Sequence, residues 1–124
     1  MTVFILACAG ILGIKCPVDI RLRSKDSNKR TGQLAGYAET RIRKGKIVRH
    51  VIFINLSVCL ESEYRLADVI AHELVHSIML ETDIFDDNSH HDARFQKICQ
   101  ILEAELYDQG MPIGALYNPE TDTD

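Results

Sequence analysis

Two histidines and one glutamate set the chemistry open to this chain. His72-Glu73-Leu74-Val75-His76 lies inside the apolar run from Val69 to Ser77, which reads as helix. Residues four apart on a helix lie one turn apart on one face, so the His72 and His76 imidazoles can grip a single ion. Glu73 is rotated by about 100° from His72, close enough to reach a water on that ion without ligating it. Two imidazoles, a carboxylate base and an open coordination position are what zinc-assisted hydrolysis requires. With five His and eight Glu among 124 residues, chance produces such a motif in roughly one chain in a hundred. The bland alternative, an exposed polar helix face with two unrelated histidines, is the weaker reading.

A catalytic zinc takes three protein ligands as a rule, so one must come from elsewhere. The donors downstream are Glu81, Asp83, Asp86, Asp87, His90, His91, Asp92 and Glu103. Imidazole suits a borderline-soft ion best, which puts His90 and His91 ahead of the acidic residues. Both stand just before the last helical pattern, where a loop can swing a side chain back to the metal.

The elements that must position these residues follow from pattern. Thr2 to Ile14 is apolar and reads as a core helix, being too short to span a bilayer and lacking the basic start of a signal peptide. Cys16-Pro17 breaks it. Val18 to Arg23 alternates with period two, as a half-buried strand does. Ser24 to Gly32 is a polar connection. Leu34 to Arg41 is a second strand, with Gly36 either weakening it or allowing close backbone approach. A turn at Arg43-Lys44-Gly45-Lys46 leads to the more buried strand Ile47 to Leu56.

Ser57 to Tyr64 is a connection with Ser62 as N-cap. The motif helix runs from Arg65 to Leu80, anchored by Leu66, Val69, Ile70, Leu74 and Ile78. After an acidic loop, Ala93 to Gln109 carries the stripe Phe95, Ile98, Leu102, Leu106 and stops at Gly110. The expected fold class is α+β: an N-terminal helix, a small three-stranded and mainly antiparallel sheet, the motif helix and a C-terminal helix. Such a sheet leaves an edge near the metal to which an extended peptide can add as a strand.

Length and composition fit one domain, residues 1–117, followed by a disordered acidic tail at 118–124. The cysteines Cys8, Cys16, Cys59 and Cys99 form no C-x-x-C pair and read as isolated buried thiols in a reducing compartment. Cytoplasmic location is the expectation, with no membrane partner. Charge is lopsided: residues 15–49 hold eleven of the fourteen Lys and Arg against three acidic residues, leaving that segment at +8 and the rest at −12. The asymmetry hints at a polyanion partner through Arg21, Arg23, Arg41, Arg43, Lys44 and Lys46. A solvated basic sheet edge that resists aggregation explains the charge equally well.

In these features the chain resembles the SprT-like metalloprotease family, which includes Spartan-type DNA–protein crosslink proteases. The resemblance rests on His72-Glu73-Leu74-Val75-His76 followed by His91-Asp92-Ala93-Arg94-Phe95. The family pattern has a third His fifteen positions after the second and an aromatic four further on, as His91 and Phe95 are. Leu34-Ala35-Gly36-Tyr37 and the strand Val51 to Leu56 add to it, so the similarity spans about Pro17 to Leu106. It implies a zincin-like domain with one zinc ion on His72, His76 and His91, Glu73 as catalytic base, and a protein substrate near or crosslinked to DNA. Single-stranded DNA as a partner, a nuclear or nucleoid-associated site of action and a monomeric state are further expectations. The chain is expected to be a minimal version of the domain, without the four-cysteine zinc ribbon or longer N-terminal helix common in the family. The rival reading is a non-catalytic, zinc-stabilised module that binds DNA or another polyanion, or a regulatory protein.

Overall fold

β3 (Lys46–Asn55) is the strand around which the others assemble, because its last six residues, His50 to Asn55, are buried on both faces. It is also the inner strand of the sheet, paired along both edges. The computed structural model describes residues 2–24, 34–61, 65–82, 92–111 and 113–114. Within them the order is α1 (Thr2–Leu12), β1 (Val18–Arg23), β2 (Gly36–Arg43), β3, α2 (Leu56–Glu61), α3 (Leu66–Thr82) and α4 (Ala93–Asp108). The sheet runs β1-β3-β2.

β1 lies parallel to β3, pairing Val18 with His50 through Arg23 with Asn55, and β2 lies antiparallel, pairing Gly36 with Ile54. The sheet is therefore mixed and not mainly antiparallel. The expectation overlooked that the most apolar strand takes the centre, which sends β1 to its far edge in the parallel sense. β2 and β3 join through Lys44 (φ 53°) and Gly45 (φ 75°). Two consecutive positive φ values are the signature of a type I′ hairpin turn.

Side chains alternate between two faces of this sheet. Ile20, Ala38, Ile52 and Ile54 turn inward to the core, while Tyr37, Val51 and Phe53 lie on the outer face. α3 packs across the inner face against β2 and β3, and α1 and α4 cover it from the other side. Ten residues of α3 are buried, including Ala71, Val75 and Met79 as well as Val69, Ile70, Leu74 and Ile78. A helix apolar on nearly all sides belongs in the middle of a structure, and α3 forms its central layer. Where the chain of α3 crosses β2, Gly36 is required: a Cβ there would sit 2.7 Å from Val69 Cγ1 and 3.1 Å from the Phe53 carbonyl.

Helix ends use one device twice. Gly13 and Gly110 adopt φ near +76° and +77°, and Ile14 and Met111 donate backward to Ala9 and Leu106, each at 2.9 Å. These are Schellman-type stops. Several boundaries differ from the sequence reading, those of β2 and α3 among them. α1 ends two residues before Ile14, and the connection after β3 begins as a short helix, α2, with Cys59 buried beneath it. Ser62, the expected cap, lies outside the described residues, as does the segment 118–124. No helix among the described residues is long and apolar enough to cross a membrane.

Candidate metal centre

α3 carries His72 and His76 one turn apart, with ring centroids separated by 5.2 Å. The pair faces α4, where Phe95 meets both rings: its centroid lies 5.0 Å from His72 and 4.5 Å from His76. Phe95 is fully buried, so its ring is a fixed wall that limits how the imidazoles can turn. Glu73, in the same turn, is 2% exposed, and His76 likewise; His72 is half-buried and is the most open member of the group. The Ser77 hydroxyl donates to the Glu73 carbonyl at 3.3 Å, which satisfies that buried serine within its own helix.

Phe95 is set by the start of α4. Asp92 caps this helix, its Oδ1 accepting from the Phe95 N–H at 2.9 Å. The Arg94 guanidinium donates to the Thr82 hydroxyl, bringing the first turn of α4 to the last turn of α3. His90, His91, Asp83, Asp86 and Asp87 lie outside the described residues. Of the acidic alternatives for a third ligand, Asp92 is spent on the cap. Glu81 lies five residues past His76, about 7.5 Å along the helix and 140° around it, where it engages a different histidine. Glu103 is half-buried and sits two turns beyond Phe95 on α4, about 12 Å along the axis. As a donor set, two imidazoles at i and i+4 beside a buried carboxylate fit a zinc ion.

The partner of Glu81 is His50, a residue that pattern reading of the sequence passed over. Fully buried on the inner face of β3, His50 places Nε2 2.7 Å from Glu81 Oε2 and Nδ1 3.1 Å from the Thr40 hydroxyl on β2. Cys16 completes the group: its sulfur, the His50 ring and the Glu81 carboxylate lie within 4.8 Å of one another, close enough to hold a metal ion. Cys16 is thus not an isolated thiol as expected. Burial would raise the Glu81 carboxyl, but the hydrogen bonds from His50 and from the Lys15 and Cys16 backbone outweigh it and lower it below the ordinary value. Burial and the adjacent Glu81 push the Cys16 thiol up. Two sequence signals pointed here. His50 keeps the inward parity of Ile52 and Ile54, and Glu81 puts an acid in the last turn of a helix, against its dipole.

The basic residues divide. Arg21, Arg23 and Arg41 share the outer face of the sheet, while Arg43, Lys44 and Lys46 surround the hairpin turn. Arg23 is committed: its guanidinium stacks 4.1 Å over Phe53 and donates to the Tyr37 hydroxyl at 3.2 Å, and Tyr37 stacks on Phe53 at 4.8 Å. Arg41 pairs with Glu39 at 2.9 Å, and Arg49 with Asp19 at 2.8 Å.

An α+β domain with His72, Glu73 and His76 on one turn of its central helix has the form of a metalloprotease-type domain. The family model of the SprT-like family matches residues 17–115. This chain belongs to the SprT-like family. No curated protein and no solved structure matches it.

Proposed function

We propose that this chain is a zinc-dependent endopeptidase, with His72, His76 and His91 holding one zinc ion and Glu73 acting as general base. The observation that carries the reading is the meeting of both imidazoles on Phe95 with Glu73 buried in the same turn. Zinc, when bound, supplies Lewis acidity that acidifies water and polarises a scissile carbonyl. Glu73 accepts the proton of the attacking water and returns it to the leaving amine. Its burial holds the carboxylate in one place and keeps bulk water from competing for that proton. Phe95, packed against both rings, limits how the imidazoles can turn. An extended substrate would add as a strand to an outer strand of the sheet, β1 or β2.

The substrate class in this reading is protein bound or crosslinked to DNA, with single-stranded DNA as a partner of a monomeric enzyme in the cytoplasm, nucleus or nucleoid. Support comes from Arg21 on the outer sheet face and from Arg43, Lys44 and Lys46 around the hairpin turn, which form no ion pair among the described residues. The competing reading is a zinc-stabilised polyanion-binding or regulatory module without hydrolysis. It is favoured by the second group, Cys16, His50 and Glu81, which could hold an ion away from the histidine pair of α3.

Cleavage, including self-cleavage, by zinc-loaded wild type beside Glu73→Gln tests the choice, each with and without single-stranded DNA. Glu73→Gln is expected to keep its zinc and lose at least about 100-fold in rate, the lower end for removing a general base. Full activity in this variant would sink the peptidase assignment. Cleavage that needs Glu73 but ignores DNA removes the nucleic-acid part, and absent cleavage with zinc bound favours the module.

A further inference from the structure

We propose that Cys16, His50 and Glu81 form a second metal site, structural in role and specific for a zinc-like ion, separate from the histidine pair of α3. Three segments distant in sequence converge here. α1 stops at its Schellman turn and delivers Lys15 and Cys16 to the C-terminal end of α3, where the Lys15 N–H donates to Glu81 Oε1 at 2.6 Å. The next peptide is tied down as well, the Pro17 carbonyl accepting from the His50 N–H at 2.8 Å. The Cys16 position is thereby fixed by backbone contacts on both sides of it.

The geometry is nearly that of a bound ion. A tetrahedral zinc with bonds of 2.0–2.3 Å holds its donors roughly 3.3–3.6 Å apart. His50 Nε2 and Glu81 Oε2 are at 2.7 Å, and all three donors lie within 4.8 Å, so adjustments of about an ångström admit the metal. Thr40 supplies the support that metal-bound histidines ordinarily have. With Nε2 turned to a metal, the Nδ1 proton donates to the Thr40 hydroxyl at the observed 3.1 Å. The ligand set is one thiolate, one imidazole and one carboxylate. Thiolate disfavours magnesium and calcium, while imidazole and carboxylate together favour zinc over a purely soft ion.

Charge makes the same case. Glu81 stands at the negative end of α3, with the Cys16 sulfur close beside it. That arrangement is wrong for a nucleophilic cysteine, which needs a cationic neighbour. A divalent ion relieves both conflicts at once, stabilising the thiolate and the carboxylate against the helix end. Bound there, the ion staples the α1–β1 junction to β3 and α3, so its binding energy becomes folding energy. Cys16 falls just outside residues 17–115, so the site joins the family domain to the helix before it.

Cobalt reports the site directly, because a thiolate ligand gives a near-ultraviolet charge-transfer band that imidazole and carboxylate do not. The chelator-stripped chain titrated with cobalt is expected to show this band in wild type and in His72→Ala, and to lose it in Cys16→Ser. Zinc content should fall by one equivalent per chain in Cys16→Ser and leave the His72 site loaded. Cobalt binding without a thiolate band in wild type overturns the proposal, as does a band that survives Cys16→Ser. Should Cys16→Ser fail to fold, alkylation of the wild-type chain with peptide mapping still decides. Zinc is expected to slow labelling of Cys16 roughly tenfold or more, and equal labelling with and without zinc refutes the site.

Discussion

α3 carries two histidine–carboxylate groups, and they differ in how the chain builds them. Near its middle, His72, Glu73 and His76 come from five consecutive residues, and Phe95 of α4 meets both imidazoles. At its C-terminal end, Glu81 meets His50 from β3, Thr40 from β2 and Cys16 from the α1–β1 junction. The first group is made by helical periodicity and exists wherever α3 is helical. The second exists only once the sheet has formed in its observed register, because Thr40 faces His50 across β2 and β3. A local group can serve chemistry without being needed for folding. A group drawn from four segments is a report on the whole fold.

The largest expected effect comes from removing what the two groups do not share, the aromatic wall. Phe95→Ala empties a fully buried site and should cost about 3–5 kcal/mol, read by urea denaturation. It should also lower proteolytic activity by more than the population of folded protein explains. Phe95→Leu sharpens the test, since it restores most of the buried volume without a flat ring. If Phe95→Leu recovers both stability and full activity, Phe95 is filling for the core and nothing more.

That contrast also explains what was legible in the sequence. The spacing of His72, Glu73 and His76 and the stripe Phe95, Leu102, Leu106 can be read from short-range periodicity, and so can the helices that carry them. The hairpin turn at Lys44-Gly45 and the close approach at Gly36 follow from single residue types. The parallel placement of β1 follows only once β3 takes the centre of the sheet, a choice made by burial across the whole fold and not by any local pattern. His50 escaped notice for a related reason: its partners stand 10, 31 and 34 residues away, and no periodicity connects them. Cys16 looked isolated along the chain and is clustered only in space.

Next in size is the charge at the end of α3. Glu81→Gln leaves the shape intact but removes the charge-assisted bonds to His50 and the Lys15 N–H, an expected loss of about 1–3 kcal/mol in metal-free protein. Its pH dependence is fixed in sign. A carboxyl whose folded value is lowered stabilises the fold above its unfolded value and loses that stabilisation as pH falls through the folded one. The gap between wild type and Glu81→Gln should therefore close as pH drops below about 4.3. A gap that widens in acid would mean that Glu81 is protonated in the fold, and the two groups on α3 would then be less different than their geometry says.

The smallest effect separates support from chemistry in the first group. Asp92 accepts from the Phe95 N–H and is adjacent in sequence to His91, so it both starts α4 and stands next to the proposed third ligand. Asp92→Ala should cost about 1 kcal/mol as a lost N-cap. Asparagine caps a helix as well as aspartate does, so Asp92→Asn should recover the stability. Activity then discriminates. Recovery of cleavage in Asp92→Asn would assign Asp92 to the placement of Phe95 and the start of α4. Stability restored with cleavage still depressed would instead mean that the carboxylate charge acts on the neighbouring histidine. The first group would then depend on a residue outside α3 for its electrostatics as well as its packing, and its apparent independence from the rest of the fold would be only geometrical.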